Sequence, residues 1–396
     1  MFAKKRTRAR PARGISFTKR AVRNDTIAFM TRGNTKQRLV ITDGALARSF
    51  LEEAGAQAHV GLDTEFMRVD TYYPGLCLVQ AALPGGRLAC VDPMSVEPEI
   101  LSDGLGRCRG NLCIHSAAQD LEVLKGSLGF LPETLFDTQI AAALLGRGEQ
   151  VSYAALVQSL FGVELAKGAT RTDWSRRPLS AAQVEYAFAD VAYLLDIKEV
   201  LSGELERQDK RQWLEHACAE LLDQYRGDAG SDVVARFKAG ASVPVERQGL
   251  LRALVLWREG EAQRRNRPRE WIVPGADLVS IARHAPTSAA RLRSIAVSHP
   301  DRVSRYADVL LDIVSSNAGD SPAAPIWEPR VEMSAEQRAL AKRLSGRVRA
   351  FCRDRSVSPA VLATRADLEA LVLGRPGRLD FGWRREVLGE ALDEVI

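Results

Sequence analysis

Four acidic residues and one tyrosine, spread over three segments of the chain, have the spacing of a catalytic metal site: Asp63, Glu65, Asp120, Tyr186 and Asp190. Asp63 and Glu65 are two positions apart in an apolar, strand-like stretch, so their side chains face the same side of that strand. Tyr186 and Asp190 are four positions apart in a helix-like segment and share one helical face. Carboxylates gathered in this way repel one another unless hard cations neutralise them. The pattern therefore predicts two divalent cations, Mg²⁺ or Mn²⁺, in a site for phosphodiester hydrolysis.

Each motif also has a simpler explanation when it is considered alone. A D-x-E pattern in a strand is commonly a polar face, Asp120 could cap a helix, and Y-x-x-x-D could be a solvated helical face. The segment containing Tyr186 and Asp190 begins with Ser180 and Gln183, which form a capping-box pattern. The apolar stripe of this predicted helix leaves Tyr186 and Asp190 about 120° from its centre, where both could face a cleft. The three motifs together are far more specific than any one of them.

The elements that must position these residues follow from the apolar periodicity. Strand-like segments joined by short Gly/Pro turns predict an antiparallel meander and one further strand, at residues 38–42, 59–66, 76–82, 88–91 and 111–115. Helices are predicted at residues 118–127, 137–146, 152–161 and 180–207. A mixed sheet followed by helices is typical of a three-layer α/β domain.

Changes in composition divide the chain into four predicted parts. They are a basic, disordered tail (1–38), the α/β domain (39–225), a helical domain (244–318) and a second, smaller helical domain (331–396). Several glycines follow residue 225 and mark the end of the α/β domain. The stretch from Asn317 to Arg330 is rich in Ala, Pro, Ser and Gly, which is typical of a linker.

The overall composition is that of an ordinary globular protein, with 46% hydrophobic and 27% charged residues. No apolar stretch approaches the ~20 residues that a membrane-spanning helix needs, so we expect no membrane segment. No P-loop sequence occurs, which argues against a nucleotide cofactor. The six cysteines are scattered without a C-x-x-C pair, which predicts reduced structural thiols and a cytoplasmic protein.

The first 38 residues contain twelve Lys or Arg residues and only one acidic residue, Asp25. Such a tail could bind phosphates without sequence specificity. It could also be an organellar transit peptide, which is typically rich in Arg and poor in acidic residues. A third explanation is translation read from too early a start, with Met30 as the true first residue.

Three longer segments around the acidic residues resemble the exonuclease motifs of the ribonuclease D family. Residues 61–67 and 72–80 resemble its first motif, and residues 115–124 resemble its second. Residues 167–179 and 185–190 are similar to its third motif and the loop that precedes it. Residues 244–318 also resemble the helicase-and-RNase-D C-terminal (HRDC) domain, and residues 331–396 are similar to a divergent second copy. The resemblance thus covers the chain from about residue 39 onward.

This resemblance implies an α/β ribonuclease H-like (DnaQ-type) exonuclease domain followed by two small all-α HRDC-type domains. It also implies a role for each acidic residue: Asp63 would bridge both ions, Glu65 and Asp190 would complete the first site, and Asp120 would hold the second ion largely through water. Two ions in such a site support in-line displacement at phosphorus. Tyr186 would orient the attacking water. A related subfamily has a histidine five residues before the last aspartate; Glu185 occupies that position here, which indicates the tyrosine variant.

The implied activity is removal of 5′-mononucleotides from the 3′ end of RNA, with tRNA precursors as the family's usual substrates. A monomer is expected. Candidate substrate contacts are Phe66 and Met67 beside the acidic residues, and Arg171, Trp174, Arg176 and Arg177 in the loop before the catalytic helix. Phe66 and Met67 could equally be core residues, and the loop could simply be folded around Trp174. His115 is expected to be a buried structural histidine, and Asp137 a helix cap.

Two other functions remain open at the level of the sequence. The same catalytic residues serve DNA exonucleases, so the choice of RNA over DNA depends on the family resemblance alone. The chain could also be a nucleic-acid-binding protein with an inert nuclease site, although the complete acidic set argues against this. The arginine-rich helical domain is compatible with nucleic-acid binding in every case, but its charges could be an ordinary solvated face.

Overall fold

The structure, a computed structural model, describes residues 37–108, 111–166, 168, 172–227, 229–317, 319, 321–328 and 332–396. The predicted basic tail, apart from Gln37 and Arg38, lies outside these residues, and so does the candidate substrate contact Arg171. None of the helices among them combines the length and apolarity needed to cross a membrane. All six cysteines are buried free thiols, as the sequence predicts.

A six-stranded mixed sheet forms the centre of the first domain. Its strands are β1 (Arg38–Ile41), β2 (His59–Met67), β3 (Gly75–Leu83), β4 (Arg87–Val91), β5 (Asn111–Ile114) and β6 (Leu135–Asp137). They are arranged in the order β1-β4-β3-β2-β5-β6. β2, β3 and β4 form an antiparallel meander as predicted, but β1, which was predicted to belong to it, pairs in parallel with β4 because a helix (Gly44–Gly55) connects β1 to β2. β5 and β6 are added in parallel pairings at the other side.

Helices cover the sheet, as a three-layer α/β domain requires. They are α1 (Gly44–Gly55), α2 (Pro98–Gly106), α3 (Ala118–Leu128), α4 (Thr138–Leu144), α5 (Tyr153–Phe161), α6 (Ala181–Val191), α7 (Leu194–Arg207) and α8 (Arg211–Arg226). The predicted fold class is confirmed. The prediction of one helix over 180–207 is wrong, because the helix breaks between Val191 and Leu194, where the Tyr193 N–H donates to the Tyr153 hydroxyl instead (2.9 Å).

A central helical domain (residues 229–327) follows and has its own hydrophobic core. Its helices are α9 (Ala229–Arg236), a 3₁₀ turn (Lys238–Ser242), α10 (Val245–Arg265), α11 (Arg269–Ile272), α12 (Gly275–His284), α13 (Ala289–Ser294), α14 (Pro300–Arg305) and α15 (Ala307–Ser316). Leu251, Leu254 and Ile281 are fully buried at its centre. The buried Gln248 side chain binds the backbone of Trp327, which closes the domain over α10.

The C-terminal unit (residues 332–396) contains α16 (Ala335–Asp354), α17 (Pro359–Leu362), α18 (Arg365–Val372) and α19 (Trp383–Asp393). Its apolar residues, including Leu344, Leu362 and Leu388, belong to the same continuous core as the α/β domain. The Ser358 N–H donates to the carbonyl of Ala143 near the end of α4 (2.8 Å). The C-terminal unit is therefore packed onto the α/β domain as part of one core.

Candidate active site

The predicted acidic residues converge although they come from separate segments. Asp63 and Glu65 lie on β2, and Asp190 lies on α6, which packs against β2, β3 and β4. One carboxylate oxygen from each of the three residues lies within 4.8 Å of the others. The Ser180–Gln183 capping box begins α6 as predicted and thereby sets the register that brings Asp190 to β2.

The fourth acidic residue, Asp120, is held beside this cluster by β2 itself. Asp120 is buried in the first turn of α3. Its carboxylate accepts hydrogen bonds from the Thr64 N–H (3.1 Å) and from the Thr64 hydroxyl (2.6 Å). All four acidic residues line one cavity of about 1380 Å³. Asp120 thus lies at the cavity wall, outside the tight group of three.

The pKa values of these carboxyl groups are raised, because burial and mutual repulsion both oppose ionisation. Burial raises the pKa of Asp63 well above its usual range, and the charges of Asp120 and Asp190 raise it further. Burial, followed by Asp190, raises the pKa of Glu65 to about 8. Burial also raises the pKa of Asp120 to about 6 and of Asp190 to about 7, against hydrogen bonds that lower them. The group would ionise readily only with cations beside it.

The Tyr186 hydroxyl is hydrogen-bonded to Asp190, its neighbour one helical turn away. Burial, and then the charges of Asp190 and Glu65, raise the pKa of Tyr186 above its usual value. The phenol therefore keeps its proton and is available to a water or a substrate as a hydrogen-bond donor. The backbone of Gly168 lies against the Tyr186 ring, so closely that a Cβ at residue 168 would overlap it.

The loop before α6 provides two corrections to the predicted substrate contacts. Trp174 is only 2% exposed and packs 6.1 Å from the Tyr186 ring, so the loop is folded around it and its burial does not support base stacking. Arg177 uses its five N–H groups on Asp92 (2.6 and 2.7 Å) and on the carbonyls of Cys77, Trp174 and Arg176. It has no donor left for a phosphate. Arg177 instead fixes the loop before α6 to Asp92 and Cys77.

Three predicted contacts remain available for a substrate. Phe66 and Met67 line the catalytic cavity, although Met67 also packs on the core. The Arg176 side chain is 84% exposed and forms an ion pair with Asp173 (3.2 Å) at the mouth of the same loop. Their roles toward a substrate stay predictions.

Two residues that the sequence assigns to structure have that role. His115 bonds the Thr138 hydroxyl (2.8 Å) and the Val151 carbonyl (3.1 Å) through its two ring nitrogens. Asp137 caps α4 and also accepts hydrogen bonds from the N–H groups of Ser116 and Ala117. Both are therefore satisfied structural residues, even though His115 borders the cavity.

Sequence reasoning missed two residues that hold the candidate catalytic side chains. Thr64 lies between Asp63 and Glu65 and fixes Asp120 with two hydrogen bonds. Gly168 gives room to the Tyr186 ring. A hydroxyl residue between two acids was a visible signal for Thr64, but the contact at Gly168 depends on the tertiary fold alone.

The donor set fits divalent cations. Carboxylate oxygens are the ligands that Mg²⁺ and Mn²⁺ prefer. The three oxygens within 4.8 Å are close enough to share a small ion, and a cation there would remove the repulsion that raises their pKa values. The structure thus has a site where such ions would be bound most strongly when all four carboxyl groups are ionised.

Comparison with known proteins agrees with this site. Residues 39–206 match the 3′-5′ exonuclease family, and residues 247–314 match the HRDC domain family. The chain is 36% identical to ribonuclease D of Xanthomonas oryzae pv. oryzae over 340 residues, which cover 85% of this chain and 92% of that protein. It is 34% identical to ribonuclease D of Pseudomonas paraeruginosa over 369 residues, which cover 89% and 96%.

A solved structure is similar to most of this chain. Escherichia coli RNase D, an exoribonuclease involved in structured RNA processing, superposes with a TM-score of 0.79 at 30% identity. The superposition covers 90% of this chain and 97% of that chain. The similarity therefore includes the α/β domain and most of the helical region that follows it.

Proposed function

This chain belongs to the ribonuclease D family of 3′–5′ exoribonucleases, and from that premise we propose how its site works and which RNA it acts on. It is a phosphodiester hydrolase that shortens RNA from the 3′ end. Our proposal adds the catalytic residues, the number of ions, the products and the substrate class. The observation that carries it is the convergence of Asp63, Glu65 and Asp190 within 4.8 Å.

We assign the four carboxylates to two divalent cations. Asp63 would bridge the two ions, Glu65 and Asp190 would complete the first site, and Asp120 would hold the second ion largely through water. Two such ions would activate a water molecule and stabilise the leaving 3′ oxygen in an in-line displacement. Thr64 keeps Asp120 in place through its two hydrogen bonds, so it is a positioning residue. The product of each cycle is a 5′-mononucleotide.

Tyr186 acts as a hydrogen-bond donor in this scheme. A phenol, with an ordinary pKa of about 10, is protonated near neutral pH and is a poor general base, and burial raises the pKa of Tyr186 further. The hydroxyl now bonded to Asp190 lies in the same cavity as the acidic residues and can turn to the attacking water. The Trp174 ring and the backbone of Gly168 limit how far the phenol ring can move.

We propose that the cellular substrates are structured tRNA precursors, which are shortened from their 3′ ends, and that the protein acts as a monomer in the cytoplasm. The HRDC domain would bind the body of the RNA, with the C-terminal unit as a second HRDC-like copy. Cleavage needs only one unpaired 3′ end, which the cavity of about 1380 Å³ can accept. Phe66, Met67 and Arg176 are the candidate contacts to the terminal nucleotides.

One assay tests the reaction class, the polarity and the substrate together. Purified protein is incubated with a 5′-labelled tRNA precursor, with an unstructured RNA and with DNA of the same sequence, each in Mg²⁺, in Mn²⁺ and in EDTA. We expect a ladder of 3′-shortened RNA that disappears with EDTA, and mononucleotides as the second product. Equal degradation of DNA would contradict the RNA assignment, and shortening that persists in EDTA would contradict the metal mechanism.

A further inference from the structure

The loop that follows the catalytic strand forms one edge of the catalytic cavity and also touches the central helical domain. This rim loop (residues 68–74) connects β2 to β3. Phe66, Met67 and Val69 line the cavity on the side of this loop, and Val69 is 60% exposed at its edge. Any shift of the rim loop therefore moves the wall against which a terminal nucleotide would rest.

The side chain of Asn266, in the central helical domain, binds the backbone of the rim loop. Asn266 ends α10 in the left-handed conformation (φ 47°), which an asparagine adopts more readily than most residues. Its side-chain oxygen accepts hydrogen bonds from the N–H groups of Tyr72 (3.1 Å) and Tyr73 (3.0 Å). The next residue, Arg267, donates to the carbonyl of Asp70 (3.1 Å).

The Tyr72 side chain adds further hydrogen bonds between the rim loop and the central helical domain. Its hydroxyl donates to the carboxylate of Glu259, which is buried in α10, and accepts from Gln263 (3.1 Å) and Arg269 (3.1 Å). The Arg269 guanidinium also lies over the Tyr72 ring, 4.8 Å from its centre. Every hydrogen-bonding position of the phenol is thus occupied by the central helical domain.

The α/β domain holds the rim loop from its other side by hydrogen bonds at the two ends, and its Gly126 lies beside the Tyr73 ring. Arg68 forms an ion pair with Glu122 of α3, and the Ser127 hydroxyl donates to the carbonyl of Pro74 (3.2 Å). In the middle of the rim loop, from Asp70 to Tyr73, the backbone bonds Asn266 and Arg267, and the Tyr72 hydroxyl bonds its partners in the central helical domain.

We propose that the central helical domain positions the wall of the catalytic cavity through the contact of Asn266 and Tyr72, and so determines how tightly the 3′-terminal nucleotide is held. This inference deepens the proposed function and rests on it. It makes Asn266 and Tyr72 positioning residues, which act through Phe66, Met67 and Val69. The effect does not depend on any contact between the helical domain and the RNA.

Two substitutions at one position test the proposal. Asn266→Gly removes the acceptor but keeps a residue that adopts the left-handed conformation without strain. Asn266→Asp keeps an acceptor oxygen in the same place and serves as the matched control. KM and kcat are measured with the full-length protein on a trinucleotide RNA and on a 20-nucleotide RNA, and urea unfolding checks that both variants are folded.

We expect Asn266→Gly to raise KM about tenfold on both RNAs, the scale of one to two lost hydrogen bonds. The kcat value and the Mg²⁺ concentration dependence should stay within about twofold of wild type, because β2 and the four carboxylates are held independently of Asn266. Asn266→Asp should have the wild-type KM. Tyr72→Phe, which keeps the ring and loses the hydroxyl, should raise KM in the same way.

Substrate length separates this proposal from its alternatives. If Asn266→Gly changes KM for the long RNA but not for the trinucleotide, the helical domain acts through its own RNA contact and the proposal is wrong. Unchanged KM on both RNAs, or an equal defect in Asn266→Asp, would also overturn it. A wild-type protein that cleaves neither RNA would instead contradict the proposed function, so the two failures are distinguishable.

Discussion

At the scale of single residues, we expect the ionised carboxylates of the candidate site to lower the stability of the metal-free protein. A carboxyl group whose pKa is higher in the folded than in the unfolded protein stabilises the fold only while it stays protonated. For Asp190, with its pKa raised to about 7, this contribution is complete at pH values below about 4 and is lost as the pH rises through about 7. The metal-free protein should therefore become less stable between these pH values.

Asp190→Asn tests directly whether the ionised Asp190 carboxylate lowers the stability of the metal-free protein. At pH 8 and without metal, the variant should be more stable to urea than wild type, by roughly 1–3 kcal/mol, because it carries no buried charge at this position. Cleavage should be abolished, and Mg²⁺ should raise the melting temperature of wild type but not of the variant. Asp63→Asn should abolish cleavage in the same way.

The opposite result would count against the site. If purified, folded Asp190→Asn or Asp63→Asn retained metal-dependent cleavage, these carboxylates would not be ligands. If wild-type stability without metal did not fall between pH 4 and pH 8, the raised pKa values would be wrong.

Tyr186→Phe separates water orientation from metal binding. The variant keeps the ring that packs against Trp174 and loses only the hydroxyl. We expect kcat to fall about 100-fold, the usual cost of losing one well-placed donor, while the melting-temperature shift caused by Mg²⁺ is unchanged. A variant with wild-type kcat would remove the role proposed for this hydroxyl.

The sequence was a good guide to the acidic residues and a poor one to the loop before α6. Asp63, Glu65 and Asp190 could be found because strand and helix periodicity places them by local spacing alone. Arg177 and Trp174 looked like substrate contacts because Arg and Trp commonly bind nucleic acid. Their actual partners, Asp92 and the Tyr186 ring, are 85 and 12 residues away and could not be read from local spacing.

At the scale of elements, the segment before α6 shapes the site through the ring of Tyr186. A methyl group at residue 168 would overlap this ring, so Gly168→Ala should displace it and lower kcat at least tenfold, while the Mg²⁺ dependence remains that of wild type. The control is Gly203→Ala on α7, where nothing lies within 4 Å of the added methyl and alanine favours the helix. Equal activity of the two variants would contradict this contact.

Element prediction failed where tertiary contacts override local preference. β6 is only three residues long, and α2 begins at Pro98 in a stretch for which we predicted no element. The interruption between α6 and α7 depends on Tyr153, whose hydroxyl accepts from Tyr193 and donates to Ala189 (3.1 Å). None of these features has a hydrophobic period long enough to detect.

At the scale of the whole molecule, Lys210 joins the C-terminal unit to the α/β domain. This lysine is only 3% exposed and donates to the carbonyls of Leu144, Arg355 and Ser356 at 2.6–3.1 Å. Lys210→Met would leave these carbonyls without their charged donor, so we expect a loss of about 2–4 kcal/mol in the free energy of unfolding. Lys342→Met, at an exposed position on α16, is the control and should change it by less than about 0.5 kcal/mol.

Urea unfolding followed by circular dichroism measures both variants. Because the C-terminal unit and the α/β domain share one core, their helices and strands should unfold together, and Lys210→Met should shift that common transition. An early separate transition of the C-terminal unit in wild type would contradict the shared core.

The arrangement of the three parts was the least predictable feature. Helical periodicity in residues 332–396 shows that one face is apolar, but not what covers it. The structure covers it with α4 and α8 of the α/β domain, through contacts such as Ser358 with Ala143 and Trp383 with Glu220 (2.8 Å). The contact of Asn266 with the rim loop, 193 residues away, was equally invisible in the sequence.

The central claim is that Asp63, Glu65, Asp120 and Asp190 together hold the ions that cleave RNA. Anomalous diffraction from crystals grown with Mn²⁺ and a mononucleotide product tests it most directly. We predict two manganese peaks about 3.5–4 Å apart, both within ligand distance of the Asp63 carboxylate. Manganese peaks located away from Asp63, or no peak between Glu65 and Asp190, would contradict the account.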